Sequence, residues 1–298
     1  IEGMPTATAN LARYRNQNFG EVGGVAYNAA DRLVYLSETT NNRIHVVSID
    51  DVGSGIDPSN PDTWTIATLA GAAGSEGFAD GIALSAEFRE PGGLLFDETS
   101  RLLYVADQGN HVIRAIDVDV GTVSTIAGTP QTLGFFGDGG DASDALLYRP
   151  STMALCPNGD LFIADTGSHR IRRVESGTNT ITTVTGVGVA ASAGEGSPAQ
   201  DFPVDKPGGL ACDDFGSLFV TSRTAIRLLP ADDTGVVDGT GPVQTIYGAA
   251  PRESFPAAVT FCLTGLSIAV NDNGARVVQA VDSCNGILVE LTRELVAP

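Results

Sequence analysis

One run of residues is written several times along this chain, and a repeat of that length excludes most folds at once. Pro91-Gly-Gly-Leu-Leu-Phe-Asp97 leads into Leu102-Leu-Tyr-Val-Ala-Asp107, a turn Gln108-Gly-Asn110-His111, the run Val112-Ile-Arg114, and then Val123-Ser-Thr-Ile-Ala-Gly128. The wording returns as Pro150-Ser-Thr-Met-Ala-Leu155, Leu161-Phe-Ile-Ala-Asp165, Thr166-Gly-Ser168-His169, Arg170-Ile-Arg172 and Ile181-Thr-Thr-Val-Thr-Gly186. The position of Gly24 recurs at Gly93, Thr152, Gly209 and Gly265, roughly sixty residues apart. Each copy offers four short strand candidates, A to D, separated by glycine turns. A four-stranded meander cannot bury both faces alone, so successive copies are expected to stack face to face around an axis.

The expected fold is therefore all-β, a β-propeller with five detectable four-stranded blades in a single domain spanning 1–298. Blade cores fall at about 22–71, 91–128, 150–186, 207–248 and 264–298. The segment 50–62, rich in Gly, Pro, Ser and Asp, reads as a surface insertion. Single helical turns are expected within Ala83–Phe88 and Asp141–Leu147. The fifth copy places Asp282 and Asn285 at the positions of Asp107 and Asn110, and Gly286–Leu291 supplies its strand C. The remainder to Pro298 is short for an outer strand. Either the ring closes with an atypical last blade, or its edge is completed by another chain or by a segment of a longer precursor.

The run from Leu161 to Arg172, with Gly137-Asp-Gly-Gly-Asp-Ala142 and Leu147-Tyr-Arg-Pro150 before it, resembles the NHL-repeat β-propeller family, especially its extracellular bacterial branch with teneurin-like propellers. The resemblance covers nearly the whole chain and is strongest in the second and third copies. It implies the fold and says little of function, because the family's defining residues build the blade. Related propellers include peptidylglycine amidating lyase, streptogramin lyases and calcium-dependent lactonases, whose chemistry needs ligands or a base at one mouth of the channel. Here His111 and His169 share one turn position, and His45 stands on strand C where the second copy has Arg114. No Gly-x-Ser-x-Gly elbow is present. The expectation is no enzyme and no catalytic residue, with a metal-dependent propeller lyase or lactonase as an alternative.

Seventeen basic against 36 acidic residues give a net charge of −19, which weighs against nucleic acid, whose phosphates need clustered Lys and Arg. Arg114, Arg172 and Arg227 share a repeat position and read as blade-building residues. No run approaches the ~18 apolar residues of a membrane helix, so no membrane insertion is expected. Cys284 replaces the glycine of the B–C turn and Cys262 precedes strand A of the same copy. A Cys262–Cys284 disulfide is expected, closing a loop of about 20 residues and contributing roughly 3 kcal/mol. That would place the chain in an oxidising compartment, extracellular, periplasmic or at the cell surface. Cys156 and Cys212 lie near the ends of strand A in adjacent copies, one register apart, and are expected to be buried free thiols.

These readings favour a non-catalytic extracellular scaffold that binds a protein or glycan through loops on one propeller face. A structural subunit completed by self-assembly at the last blade is the other non-enzymatic alternative. The contact residues expected are Phe135, Phe136, Asp138 and Asp141 in a long D–A linker, with Gln108, Thr166 and Arg223 in the B–C turns. The two phenylalanines are either a recognition tip or a plug folded under their own loop. Asp138, Asp141 and Asp144 among glycines resemble an oxygen-ligand loop, a weak case for calcium; otherwise no cofactor and no metal site is expected.

Overall fold

The computed structural model describes residues 20–49, 64–72, 74–189, 196–223, 225–248, 263–270, 276–282 and 287–292. Each copy folds as an antiparallel meander whose strands are neighbours in the order they occur. The first sheet is β1 (Val22–Asn28), β2 (Leu33–Glu38), β3 (Arg43–Ser48) and β4 (Thr65–Ala70). The second contains β5 (Gly81–Ile82), β6 (Pro91–Asp97), β7 (Leu102–Asp107), β8 (Val112–Asp117) and β9 (Thr122–Ala127), in spatial order β5-β9-β8-β7-β6. The third is β10 (Thr152–Leu155), β11 (Leu161–Asp165), β12 (Arg170–Val174) and β13 (Ile181–Thr185). The fourth is β14 (Leu210–Cys212), β15 (Leu218–Ser222), β16 (Ala225–Leu229) and β17 (Gln244–Gly248). The last is three-stranded among the described residues: β18 (Leu263–Val270), β19 (Arg276–Asp282) and β20 (Ile287–Thr292).

Local chemistry explains the pattern. β11 and β15 are buried at every residue, as their continuous apolar runs require of strands covered on both faces. In the second and third sheets the turns between second and third strands are single 3-10 turns, Gln108–Asn110 and Thr166–Ser168, each closed by a left-handed histidine, His111 at φ 63° and His169 at φ 55°. A register shift recurs between third and fourth strands, at Ile44/His45, Ile171/Arg172 and Ile226/Arg227. Such a bulge re-aims the side chain beside it, and here that side chain is the repeated arginine or His45. The expected helical turns form at Ala83–Ser85 and Ala142–Asp144, and a third forms at Ala199–Asp201.

The chain divides into two compact units, Ile1–Ile126 and Ala127–Pro298. In the first, β1 packs on β6 over a core including Tyr35, Ile44, Phe88, Leu103 and Ile116. In the second, β14 packs on both β10 and β18, and Phe162, Ile171, Val184, Phe202, Leu218 and Leu229 form the core between the third and fourth sheets.

The cysteines require a correction. Cys156 and Cys212 are not free thiols; they form a disulfide with Cα atoms 5.2 Å apart. The expectation rested on alternation along a pleated strand, but β10 ends at Leu155. Cys156 stands in the turn that follows, where its amide donates to the carbonyl of Asp160, and alternation no longer decides which way its side chain points. Cys262, Cys284 and the 50–62 insertion lie outside the described residues, as does the chain beyond Thr292.

Candidate functional site

A buried arginine organises the repeats. Arg114 is fully buried and donates to Asp80 from Nε (3.1 Å) and Nη2 (2.6 Å), to Asp107 (3.1 Å), and to the carbonyls of Glu87 (2.6 Å) and Ala79 (2.5 Å). Its guanidinium lies between the rings of Phe78 and Phe88, 4.8 and 4.6 Å from their centroids. The other oxygen of Asp80 accepts from the amide and hydroxyl of Thr125 at 3.1 and 3.0 Å. A desolvated cation is tolerable because nearly every donor is matched and aromatic faces cover the rest. Arg227 repeats the theme over Phe202 at 4.6 Å with Thr245 at 2.6 Å, and in the first sheet His45 meets Glu38 at 2.8 Å. Burial pushes the carboxyls of Asp107 and Asp165 up to about 6, against hydrogen bonds from Asn110 and Ser168 that favour their ionised forms.

The third copy departs from this plan. Arg172 is fully buried and bonds Asp138 once, from Nη2 at 2.6 Å, and the carbonyl of Leu146 at 3.3 Å. Its Nε is buried without a hydrogen-bond partner. The linker that carries Asp138 is held firmly. Gly139 donates to Ile181 at 2.8 Å, Ile181 to Gly140 at 3.0 Å, Ala142 to Asn179 at 2.9 Å and Leu146 to the carbonyl of Phe136 at 2.9 Å. Gly137 has φ 103°, and a Cβ there would meet Ala145 Cα at 2.8 Å, so only glycine fits the bend. On this fixed backbone Phe135 and Phe136 are 60% and 78% exposed; they are not folded under their loop. The Arg170 guanidinium sits 4.0 Å from the Phe135 centroid and donates to the carbonyl of Ser168 at 2.9 Å. Phe135, Phe136, Asp138, Gly139, Arg170 and Thr183 line a concavity of about 580 Å³.

Phe135, Phe136 and Asp138 thus come together, while the other expected contact residues do not join them. Asp141 caps the Ala142–Asp144 turn, accepting from the Ser143 hydroxyl at 2.7 Å and amide at 2.9 Å, and accepts from Asn179 at 2.9 Å; these bonds hold its carboxyl below the usual range. Thr166 donates to the carbonyl of Pro207 at 2.6 Å, joining the third and fourth sheets. Arg223 is exposed beside Asp205 at 3.4 Å. Gln108, in the other compact unit, lies against the Gly92 backbone. Arg170 and Thr183 belong to the site and were not anticipated. The available signal was Arg170 itself, which stands where the second and fourth copies have Val112 and Ala225.

Among the described residues no three His, Cys, Asp or Glu side chains gather as metal ligands. His169 accepts from the amide of Lys206 at 3.1 Å, and Asn42 does the same for Glu90 at 2.8 Å. Both tie a B–C turn to the residue before the next copy's proline, which is a structural task. Among the described residues no helix is long and apolar enough to cross a membrane.

A family model described as NHL repeat matches residues 147–174. The chain is 27% identical over 155 residues to NHL repeat-containing protein 2 of Bos taurus, covering 50% of this chain and 19% of that protein. It is 36% identical over 86 residues to Teneurin-1 of Mus musculus, covering 25% and 3%. The chain spans about a fifth or less of the length of these relatives. A solved structure of a nidogen/laminin complex superposes with a TM-score of 0.58 at 13% identity, over 92% of this chain and 76% of that one. A gluconolactonase from Xanthomonas campestris superposes with a TM-score of 0.52 at 14% identity, over 91% and 75%. At such identity the likeness speaks for the fold alone, which is all-β and of the propeller class.

Proposed function

Because the chain belongs to the NHL-repeat β-propeller family, we propose that it is a non-catalytic interaction scaffold that binds a protein or glycan through the Gly128–Arg149 linker of its third repeat. One observation carries the reading: two adjacent phenylalanines stand 60% and 78% exposed on a backbone pinned to β13, lining a concavity with Asp138, Arg170 and Thr183. Large exposed aromatics on a rigid frame are the usual anchors of an interface, because little freedom is lost when they bind. The three-stranded sheet β18–β20 is taken as the fifth blade, supported by antiparallel pairing with the same strand order as the other four. The Cys156–Cys212 disulfide supports an oxidising compartment outside the cytoplasm.

The test is a comparison of wild type with the Phe135→Ser/Phe136→Ser double variant as immobilised baits for cell-surface extract of the source organism. A ligand retained by wild type and lost by the variant, at unchanged melting temperature, is the expected outcome. Identical retention profiles would sink the assignment of this linker as the contact surface.

A further inference from the structure

The second and third repeats carry the same groups at matching positions and use them differently. Asp80, Thr125, Arg114 and Phe78 of the second correspond to Asp138, Thr183, Arg172 and Phe136 of the third. In the second repeat these four satisfy one another. Asp80 takes two bonds from Arg114 and two from Thr125, and the Phe78 ring closes over the guanidinium. In the third, Asp138 bonds Arg172 once through Oδ1 and remains half-exposed, and Arg172 keeps an unpartnered Nε. The Phe136 ring is turned out to solvent instead of covering the arginine. The clamp that is shut in one repeat stands open in the next, and its Phe136, Asp138 and Thr183 are walls of the concavity, joined there by Phe135 and Arg170.

The freed groups specify a ligand chemistry. Asp138 offers acceptors, Arg170 offers donors, and the Thr183 hydroxyl serves as either. Beside them lies an aromatic ring that a flat, weakly polar C–H surface can cover. A purely apolar ligand would strip water from Asp138 and Thr183 and return no hydrogen bond, a cost greater than one aromatic contact offsets. A phosphate or sulfate would be set against the Asp138 carboxylate. A concavity of about 580 Å³ falls within the range of small-ligand pockets. Adjacent hydroxyls that donate and accept, on a ring with a C–H face, satisfy all of these groups together. Resting on the reading of this linker as the contact surface, we infer that the third-repeat concavity binds a neutral saccharide ring, stacked on Phe136 and hydrogen-bonded to Asp138, Thr183 and Arg170.

The chain is screened on an array of neutral oligosaccharides built from glucose, galactose, mannose or N-acetylglucosamine, and hits are titrated calorimetrically. Phe136→Ala should weaken binding at least about tenfold and Thr183→Val about threefold, with Phe136→Trp retaining it. Melting temperatures should stay within about 2 °C, since Phe136 supports no core. Asp138→Asn, which retains an oxygen for Arg172, should also weaken binding, and a loss of folding there leaves the Phe136 and Thr183 arms to decide. A silent array, or a hit bound equally by Phe136→Ala, overturns the saccharide assignment. If the array is silent while the extract experiment still retains a protein through Phe135 and Phe136, the saccharide falls and the contact surface stands. If neither experiment depends on these rings, both fall.

Discussion

Among the described carboxyls, Asp107 and Asp165 are the two whose pKa the fold raises. Burial raises each from an ordinary value near 3.8 to about 6, so between those values the folded chain holds protons that the unfolded chain has released. Their contribution to stability is therefore present at low pH and is lost as pH rises through about 6. Glu38 runs the other way. Burial alone would raise it, but hydrogen bonds from His45, Gly20 and Asn41 and the charge of Arg43 hold it low, as bonding does for Asp141 and Asp232. Their share is lost as pH falls through the acid range. Urea midpoints should peak near pH 4 and decline toward both 6 and 3, with Asp165→Asn flattening the decline between 4 and 6. A flat wild-type profile over that interval would contradict the assignment. The clamps also differ in cost. Arg114→Met strands Asp107 and Asp80 and should cost about 3–5 kcal/mol, and Arg172→Met less, because it makes fewer bonds. The periodic placement of Arg114, Arg172 and Arg227 made their building role legible. Their acidic partners were not legible as such. Asp80 and Asp138 sit 34 residues upstream of the arginines they bind, in linkers whose return path no local pattern encodes.

The linker is the element that distinguishes the third repeat. Between Gly137 and Ala142 it runs beside β13 much as β5 runs beside β9, so its aromatic tip is presented by a structure with strand-like rigidity. Gly137→Ala should cost about 1–3 kcal/mol, because φ 103° is unfavourable for alanine and its Cβ would strike Ala145. Thermal melting reads the cost, and a change in Phe135 or Phe136 accessibility would show that the tip moves with the bend. Strand positions and both helical turns could be read from alternation and turn residues, since those are local properties. The outward turn of Phe136 could not, because Phe78 occupies the matching position and points inward. The two linkers differ in their neighbours, Phe135 for Gly77 and Leu147 for Phe88, and neighbours act through packing, which periodicity does not register.

At the scale of the molecule, a net charge of −19 and a disulfide between neighbouring sheets act in opposite directions. Self-repulsion disfavours the compact state, and closing a loop of this length stabilises it by about 2–4 kcal/mol through the unfolded chain. Reduction, or the paired change Cys156→Ser/Cys212→Ser, should lower the urea midpoint correspondingly, and moderate salt should recover part of the loss by screening. A midpoint indifferent to reduction would remove the bond from the account of stability. The disulfide has a further consequence when the molecule is pulled from its ends. The 56 residues of sequence separation between Cys156 and Cys212 are bypassed by the bond and carry no tension, which withholds about 190 Å of contour length. Stretched in oxidising buffer, the chain should come up short by that length; a pulse of reductant under constant load should release it in a single step, turning a chemical bond into a measurable length.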